Sequence, residues 1–191
     1  MPDRIRISPE AATARGLELS VTSASDAAVQ WWVVGTWARA FDRIAGRDVP
    51  RSWDQTRAFG AGVSRDTPRW NVALAAAYRT GWPTTPVTFV APGEPPIVVA
   101  GPRNSTRVGA YRTVDFRVTR KFSLRGGTLA AFVEVSNALD QRNWCCAEYE
   151  VEIGDAGVPV LDTSQLHYLP LVPSLGVVSV SYTHLTLPTK A

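Results

Sequence analysis

Four side chains near the C-terminal end of the sequence have the functional groups of a nucleophilic catalyst. Cys145 or Cys146 would be the nucleophile, His167 the base, and Asp162 the residue that orients the base. All of them fall in one irregular connection, residues 138–167, where no rigid element holds them in a defined geometry. The sequence therefore predicts no catalytic site, and we expect the protein not to be an enzyme.

The two cysteines also lack the spacing of a metal site. Thiolates that bind one zinc ion are separated by roughly two to four residues, whereas Cys145 and Cys146 are adjacent. We therefore expect no metal site and no cofactor. Two states remain open for the pair: both thiols are reduced, or a disulfide between the neighbours stiffens the connection.

Three acidic residues in the same connection are candidates for contact with a ligand. Glu148, Glu150 and Glu152 alternate along a short extended segment, so their side chains share one face. This face could meet a cationic ligand. Solvated charge on a surface loop is the ordinary explanation of the same residues, and the sequence leaves both interpretations open.

The elements that would position these connections are long β-strands. In residues 111–122, Val114, Phe116 and Val118 alternate with polar residues, which is the period of a strand with one apolar and one polar face. After turn-forming residues the alternation resumes from Leu129 to Val135. The pattern predicts a hairpin with strands of about ten to twelve residues, longer than the usual five or six and long enough to cross a bilayer.

The same alternation predicts seven strands in an all-β fold, an antiparallel meander that forms an open, curved segment of a large transmembrane β-barrel. The strands are expected near residues 16–22, 28–40, 55–65, 70–79, 111–122, 128–137 and 168–178. Residues 5–15 show no clean periodicity, and we expect residues 1–15 to be an irregular segment, either a loop or the ragged end of an earlier strand. Within the longest connections we expect an extended segment at 97–100 and a small hairpin that turns at 154–157.

The predicted connections alternate in length, and three short turns and three long loops would lie at opposite ends of the sheet. Membrane barrels sort their connections in this way, with short periplasmic turns and long outer loops. Trp70 and Tyr78 support this interpretation, because they lie roughly 26 Å apart along one strand, or about 20 Å in height after tilt. This height is close to the ~25 Å apolar band that aromatic residues flank in such barrels.

Strand phase also predicts which way the side chains point. We expect one set to face lipid, namely Leu17, Phe59, Leu74, Phe116 and Val133, and another to face the interior of the barrel, namely Glu18, Ser64, Asn71, Arg117 and Glu134.

Two other classes of protein remain as alternatives to a segment of a large membrane barrel. A soluble β-sandwich that binds a ligand would fold without detergent, and a small complete pore is disfavoured because seven is an odd number of strands.

Composition and simple sequence patterns argue against several further classes of protein. The net charge is +3 and the pI about 9.1, but the arginines are spread singly among acidic residues, so we expect no nucleic-acid partner. No run approaches the roughly 18 apolar residues of a spanning helix. The start Met1-Pro2-Asp3-Arg4 does not begin a signal peptide, so either the protein stays inside the cell or its true N-terminus is missing.

Five segments in order resemble the last strands of a TonB-dependent outer-membrane receptor. They are GLELSV at 16–21, WARAFDRIAGRDVPRSWDQTRAF at 37–59, WNVALAAAYRTGWP at 70–83, YRTVDFRVTRKF at 111–122 and LAAFVEVSNALDQRN at 129–143. The resemblance implies that residues 16–179 are the C-terminal part of a barrel that closes about 22 strands around a plug. It also implies a location in the outer membrane of a Gram-negative cell.

Such receptors import scarce nutrients, commonly iron chelates or cobalamin, with energy relayed by TonB. The resemblance implies three partners: outer-membrane lipid, the TonB system through a missing N-terminal part, and the barrel-assembly machinery. The sequence contains no recognisable plug, so we expect a fragment that does not transport alone. It also departs from the aromatic last residue of the family, because it ends in Lys190-Ala191.

The tail at 180–191 differs in composition from the rest of the chain. Lys121 is the single lysine of the body, whereas the tail contains Lys190 and three threonines. Residues 180–189, VSYTHLTLPT, resemble the translation of a transposon-type sequencing adapter, GTC TCT TAT ACA CAT CTG ACG CTG CCG ACG. We expect this tail to be an artefact, and we expect strand pairing to end before Pro188, which has no amide proton to donate.

Overall fold

A computed structural model of the chain describes residues 7–24, 26–91, 97–124, 126–153 and 159–181. In these residues the protein is all-β, and none of them forms a helix that could span a membrane. The strands are β1 (Ala11–Thr22), β2 (Val29–Ile44), β3 (Arg47–Pro50), β4 (Arg57–Asp66), β5 (Trp70–Arg79), β6 (Pro83–Thr84), β7 (Val87–Ala91), β8 (Ile97–Ala100), β9 (Thr106–Arg107), β10 (Tyr111–Leu124), β11 (Gly127–Ser136), β12 (Trp144–Ile153), β13 (Pro159–His167) and β14 (Val172–Ser181).

Seven long strands form one antiparallel sheet in the order β1-β2-β4-β5-β10-β11-β14, and β3 adds to β2. This confirms the prediction of an antiparallel meander in sequence order. β1 and β14 are the two edges, so the sheet is open across the described residues. The remaining strands form two-stranded sheets, β6 with β9, β7 with β8 and β12 with β13, all within the long connections.

The strand register determines which side chains share a face, because residues directly opposite each other point the same way. Phe116 lies opposite Leu74 on β5 and Val135 on β11. Continuing across the sheet, the register places Leu17, Phe59, Leu74, Phe116 and Val133 together, which we call the apolar face. Glu18, Ser64, Asn71, Arg117 and Glu134 share the opposite side, which we call the polar face.

The sheet has no conventional hydrophobic core. Among the described residues no large hydrophobic side chain is buried, and the apolar face is widely exposed, with Leu17 at 70% and Leu175 at 85%. The buried polar residues are Asp54, Thr85, Asn104, Thr113, Asn137 and Asn143, and Gly81 and Pro83 are buried as well. Because a soluble domain gains roughly 25 cal/mol for each Å² of apolar surface that it buries, this face requires a cover outside the described chain.

Large side chains on the polar face lie over glycines of neighbouring strands. The register places Trp32 on this face, directly opposite Gly62. A Cβ at Gly60 would lie 2.9 Å from the Trp32 ring, and one at Gly176 would lie 2.6 Å from the Phe132 ring. Glycine at these positions therefore makes room for rings that would otherwise collide with a neighbouring strand.

Charged residues of the polar face pair across strands. Arg117 Nη1 donates to Glu134 Oε2 at 2.8 Å, and the Arg117 guanidinium lies 3.9 Å from the centre of the Phe132 ring. Near the turn between β4 and β5, Lys121 Nζ donates to Asp66 Oδ1 at 2.5 Å. These contacts tie β10 to β11 and to the end of β4.

The N-terminal half contains more strand than the sequence predicted. β1 begins at Ala11 rather than Gly16, because β2 continues to Ile44 and offers pairing partners that include Arg43 opposite Ala11. β2 then turns through Ala45 and Gly46, whose φ angles of 48° and 71° are those of a two-residue hairpin turn. The prediction of irregular structure up to residue 15 is therefore wrong for 11–15, and residues 1–6 lie outside the described chain.

The strand boundaries of the C-terminal half also differ from those that the sequence predicted. β14 begins at Val172 rather than near residue 168, because the Tyr168 and Leu171 amides donate to Asn143 O and Asp140 Oδ1 instead of to a strand. β14 continues through Ser181, and residues 182–191 of the predicted artefactual tail lie outside the described chain. The predicted extended segment at 97–100 is confirmed as β8. The predicted hairpin is confirmed by the pairing of β12 with β13, and its turn at 154–157 lies outside the described chain.

The exposed face and open edges predict the behaviour of the isolated chain in water. We expect the expressed protein to aggregate in plain buffer and to disperse when it is refolded into nonionic detergent. The reason is that both a broad apolar surface and two unpaired strand edges are exposed. Size-exclusion chromatography with light scattering measures this, and a monodisperse monomer in plain buffer would favour the soluble sandwich instead.

Candidate functional site

The three long connections lie at the same end of the sheet, as the alternation of their lengths predicted. They leave β2, β5 and β11, which run parallel to one another in the meander. Five of the six buried polar residues lie in these connections, and the sixth, Thr113, lies at the adjoining end of β10. Polar burial, rather than apolar burial, therefore orders this end of the molecule.

Asp54 and Arg107 connect the first long connection to the second. Asp54 Oδ1 accepts a hydrogen bond from the Ala40 amide at 2.6 Å, and Oδ2 accepts one from Arg107 Nη2. Arg107 Nη1 donates to the carbonyl oxygens of Asp54 and Gly81, at 2.7 and 3.0 Å. One carboxylate and one guanidinium therefore hold β2, the residues before β4 and the residues after β5 together.

Asn104 adds a second link between these two connections. Its Nδ2 donates to Pro50 O at 2.6 Å and to Ser52 Oγ at 3.3 Å, and its backbone amide donates to Thr85 Oγ1 at 3.1 Å. Asn104 has a φ of 52°, a left-handed conformation that asparagine tolerates better than most residues. Its Oδ1 is buried and has no hydrogen-bond partner among the described residues.

Two asparagines order the third connection. The Asn143 side chain pairs with the backbone of Arg112, accepting from its amide at 2.7 Å and donating to its carbonyl at 2.6 Å, so that it replaces a strand partner for β10. The Asn137 amide donates to Asp115 Oδ1 at 2.8 Å. The Asn137 side chain accepts from the Gln141 amide at 3.0 Å and donates to the Gln141 carbonyl at 3.0 Å.

The three ordered connections surround a cavity of about 130 Å³. Arg79 and Tyr111 are directly opposite each other on the polar face of β5 and β10 and form its floor. Its other side chains come from all three connections, namely Gln55, Thr80, Trp82, Trp144 and Tyr168. This is smaller than the roughly 300 Å³ of a site that encloses a whole small ligand, so it suits one group of a larger ligand.

The cavity combines aromatic faces with one positive charge. The Arg79 guanidinium carbon lies 5.1 Å from the centre of the Tyr111 ring, and the rings of Tyr111 and Tyr168 meet edge to face at 5.6 Å. No acidic side chain is among the described lining residues. Aromatic rings beside a guanidinium suit a ring-shaped or planar group that carries an anionic or oxygen-rich substituent. We therefore regard this cavity as the candidate ligand-contact site.

The acidic residues predicted from the sequence lie elsewhere, on the β12–β13 hairpin. Glu148, Glu150 and Glu152 share one face of that hairpin, and Glu150 lies directly opposite Asp162. No group of three or more potential metal ligands occurs in the described parts of the chain. Nothing in the structure separates contact with a cationic ligand from ordinary solvated charge, so a ligand role for these residues stays a prediction.

The cysteine pair occupies an irregularity of the same hairpin. Cys145 and Cys146 are joined by a disulfide, and the register shifts between Trp144 and Cys146, so Cys145 has no partner on β13. His167 lies opposite Trp144, with its ring 6.0 Å from the indole. Asp162 is five residues further along β13, roughly 16 Å away in an extended strand, so these side chains do not assemble into a catalytic triad.

Sequence reasoning missed the cavity residues because each of them stands in a different connection or strand end. The available signal was the enrichment of aromatic residues at those ends, where Trp82, Tyr111, Trp144 and Tyr168 flank the long connections.

Comparisons with protein-family models, with curated proteins and with solved structures give no match for this chain. The argument for function therefore rests on the sequence and the structure themselves.

The Asp54–Arg107 pair predicts a measurable loss of stability. We expect Asp54→Ala to lower the free energy of unfolding in detergent by about 2 to 3 kcal/mol, because it removes the carboxylate partner of a partly buried guanidinium and leaves the Ala40 amide without its acceptor. Asp48→Ala is the control, since the Asp48–Arg43 pair is 3.9 Å long and exposed, and should cost less than about 1 kcal/mol. Equal losses in urea unfolding would contradict this role of Asp54.

Proposed function

We propose that the chain is part of the barrel of a TonB-dependent outer-membrane receptor, which imports a scarce nutrient such as an iron chelate or cobalamin. The observation that carries the proposal is the pattern of side chains along the apolar face. On four neighbouring strands, three successive apolar-face positions are bracketed at both ends by Trp, Tyr or Arg. The brackets are Trp31 and Arg39 on β2, Arg57 and Arg65 on β4, Trp70 and Tyr78 on β5, and Arg112 and Arg120 on β10.

The two brackets of each strand are separated by the same distance. Eight residues span roughly 26 Å of extended strand, or about 20 Å of height at a tilt of ~40°. The positions between them carry Val, Leu, Phe, Ala, Gly or Trp. Lipid-facing surfaces of outer-membrane barrels have this arrangement, an apolar belt about 25 Å tall with amphipathic side chains at both margins.

The distribution of acidic residues supports the same assignment of the apolar face to lipid. All five Asp and Glu residues of the seven long strands lie on the polar face, namely Glu18, Asp42, Asp66, Asp115 and Glu134. A carboxylate that faced hydrocarbon would raise the free energy of the folded protein, whereas a carboxylate in the lumen of a large barrel is hydrated. The polar face is therefore assigned to the lumen and the apolar face to lipid.

The two ends of the sheet are assigned by the lengths of their connections. The short turns after β1, β4 and β10 correspond to the periplasmic side, and the long, ordered connections correspond to the outside. The aromatic cavity then opens at the outer end of the lumen, where an imported ligand is first met. Trp82, Tyr111, Trp144 and Tyr168 with Arg79 would contact one group of that ligand.

The sheet requires further strands to enclose a lumen. β1 and β14 run in the same direction, so closing the sheet on its own edges would pair two parallel strands. Barrels of this class are wholly antiparallel and even-numbered in bacteria. We infer that other strands of the same receptor complete the cylinder, that a plug and a TonB-contacting segment belong to that other part, and that this segment does not transport alone.

The direct test is whether the apolar side of β5 contacts lipid and its polar side does not. We expect Leu74→Arg to weaken the association of the detergent-refolded chain with lipid vesicles, because a guanidinium in the middle of the apolar belt costs about 2 to 4 kcal/mol. Ala75→Arg is the matched control at the same depth. Its side chain would lie on the polar face, where the Trp32 ring covers Gly62 on one side and the Asp115 carboxylate lies on the other. The guanidinium would meet an aromatic ring and a carboxylate there rather than hydrocarbon, so this variant should associate with the vesicles as the parent does.

Association is measured by flotation of the vesicles. The proposal is wrong if both arginine variants associate with the vesicles equally well, or if the parent protein stays in solution beside them. The second result would favour a soluble sandwich, whose apolar face is covered by protein rather than by lipid.

A further inference from the structure

We propose that the disulfide between Cys145 and Cys146 holds Trp144 in the aromatic cavity, so that a dithiol reductant weakens the ligand contact made there. The inference rests on the proposed function, because it requires this cavity to contact the imported ligand. Neither cysteine is among the described residues that line the cavity. The cysteines are therefore positioning residues, which act through the neighbouring indole.

The bulge in β12 reverses the side of the hairpin on which Trp144 lies. Trp144 is opposite His167 and Cys146 is opposite Leu166, so β12 advances by two residues while β13 advances by one. Opposed residues share a face, and successive residues of β13 alternate between faces. Trp144 therefore lies on the other side of the hairpin from Cys146, although two residues of a regular strand at this spacing would share a side.

The side on which Trp144 lies is the side of the cavity. The Trp144 indole lines the cavity, and it packs so closely on Gly109 that a Cβ there would lie 3.2 Å from the ring. On the same side of the hairpin, the Tyr149 hydroxyl donates to the Thr85 carbonyl at 3.5 Å, in the second long connection. Regular pairing along the whole of β12 would turn the indole away from both Gly109 and the cavity.

A disulfide between adjacent residues keeps this bulge in place. Successive side chains of a regular strand point to opposite faces, whereas a disulfide brings its two Cβ atoms to within roughly 3.5 to 4.5 Å of each other. The bond between Cys145 and Cys146 is thus incompatible with regular strand geometry at these two residues. It falls at the register shift, where Cys145 is the residue without a partner on β13.

Reduction removes that constraint. A thiolate of a dithiol attacks one sulfur and forms a mixed disulfide, and its second thiol then closes a cyclic disulfide of the reductant. Two electrons and two protons pass to Cys145 and Cys146, which leave as thiols; both are half-buried and within reach of a small reagent. Cys145 then pairs with His167 in a regular ladder, which carries Trp144 to the side of Glu148.

The position of Trp144 is measured by fluorine NMR of the detergent-refolded chain labelled with 5-fluorotryptophan. The chain has seven tryptophans, and Trp144→Phe and Trp53→Phe identify two of the signals. Dithiothreitol reduces only this disulfide, because Cys145 and Cys146 are the two cysteines of the sequence. We expect it to shift the signal of Trp144 and to leave that of Trp53, in the first long connection, unchanged.

The ligand contact is measured with 3,4-dihydroxybenzoate, a planar ring that carries a carboxylate and two hydroxyl groups. Its binding to the oxidised and the reduced chain is compared by isothermal titration calorimetry. Reduction should weaken the affinity about 10-fold, on the scale of one lost aromatic face.

Two variants separate the position of the indole from a general stiffening of the connection. Cys145→Ser with Cys146→Ser should bind the probe weakly whether or not dithiothreitol is present. Deletion of Cys145 removes the unpaired residue itself, so a regular ladder pairs Trp144 with His167 and keeps the indole at the cavity. This variant should bind as the oxidised parent does, with and without dithiothreitol, and circular dichroism confirms that each variant has formed its sheet.

Three results would overturn the inference while leaving the barrel proposal intact. They are a Trp144 signal that dithiothreitol does not shift, an affinity that reduction does not change, and an oxidised parent that does not bind the probe. Weak binding by the variant without Cys145 would also contradict it, because a disulfide that only stiffens the connection predicts that result. Equal association of Leu74→Arg and Ala75→Arg with vesicles, which involves no cysteine, would instead remove the proposed function and this inference with it.

Discussion

Backbone hydrogen bonding between long antiparallel strands is the constraint on which the rest of the structure depends. No large hydrophobic side chain of the described residues is buried, so a hydrophobic core does not hold the elements together. Instead, each neighbouring pair of long strands keeps one unbroken register over nine to twelve positions. Since a shift of one residue would exchange the two faces, this register also maintains the separation of apolar from polar side chains.

The long connections are ordered by a different interaction from the one that orders the sheet. Asp54, Asn104, Asn137 and Asn143 are buried and satisfy backbone groups that lack strand partners. Such contacts are directional, so they fix the paths of the chain without a large apolar interior. The aromatic cavity depends on both systems, because its floor belongs to the sheet and its walls belong to the connections.

Much of the sheet was accessible from the sequence because its information is local. Alternation with a period of two identifies a strand and its apolar side without knowledge of its neighbours, and β5 was predicted with its observed bounds. Errors occurred where pairing depended on a distant partner. Residues 11–15 have no clear pattern of their own and are extended because the end of β2 lies beside them.

The sequence by itself determined the seven long strands, the meander order and the two faces, since these follow from side-chain alternation and from the lengths of connections. The tertiary structure decided what those faces bring together across strands. It placed Arg79 beside Tyr111, Trp32 over glycines and Arg15 opposite Arg39. These contacts join residues far apart in the chain, and the register that aligns them is set by pairing along whole strands rather than by any local signal.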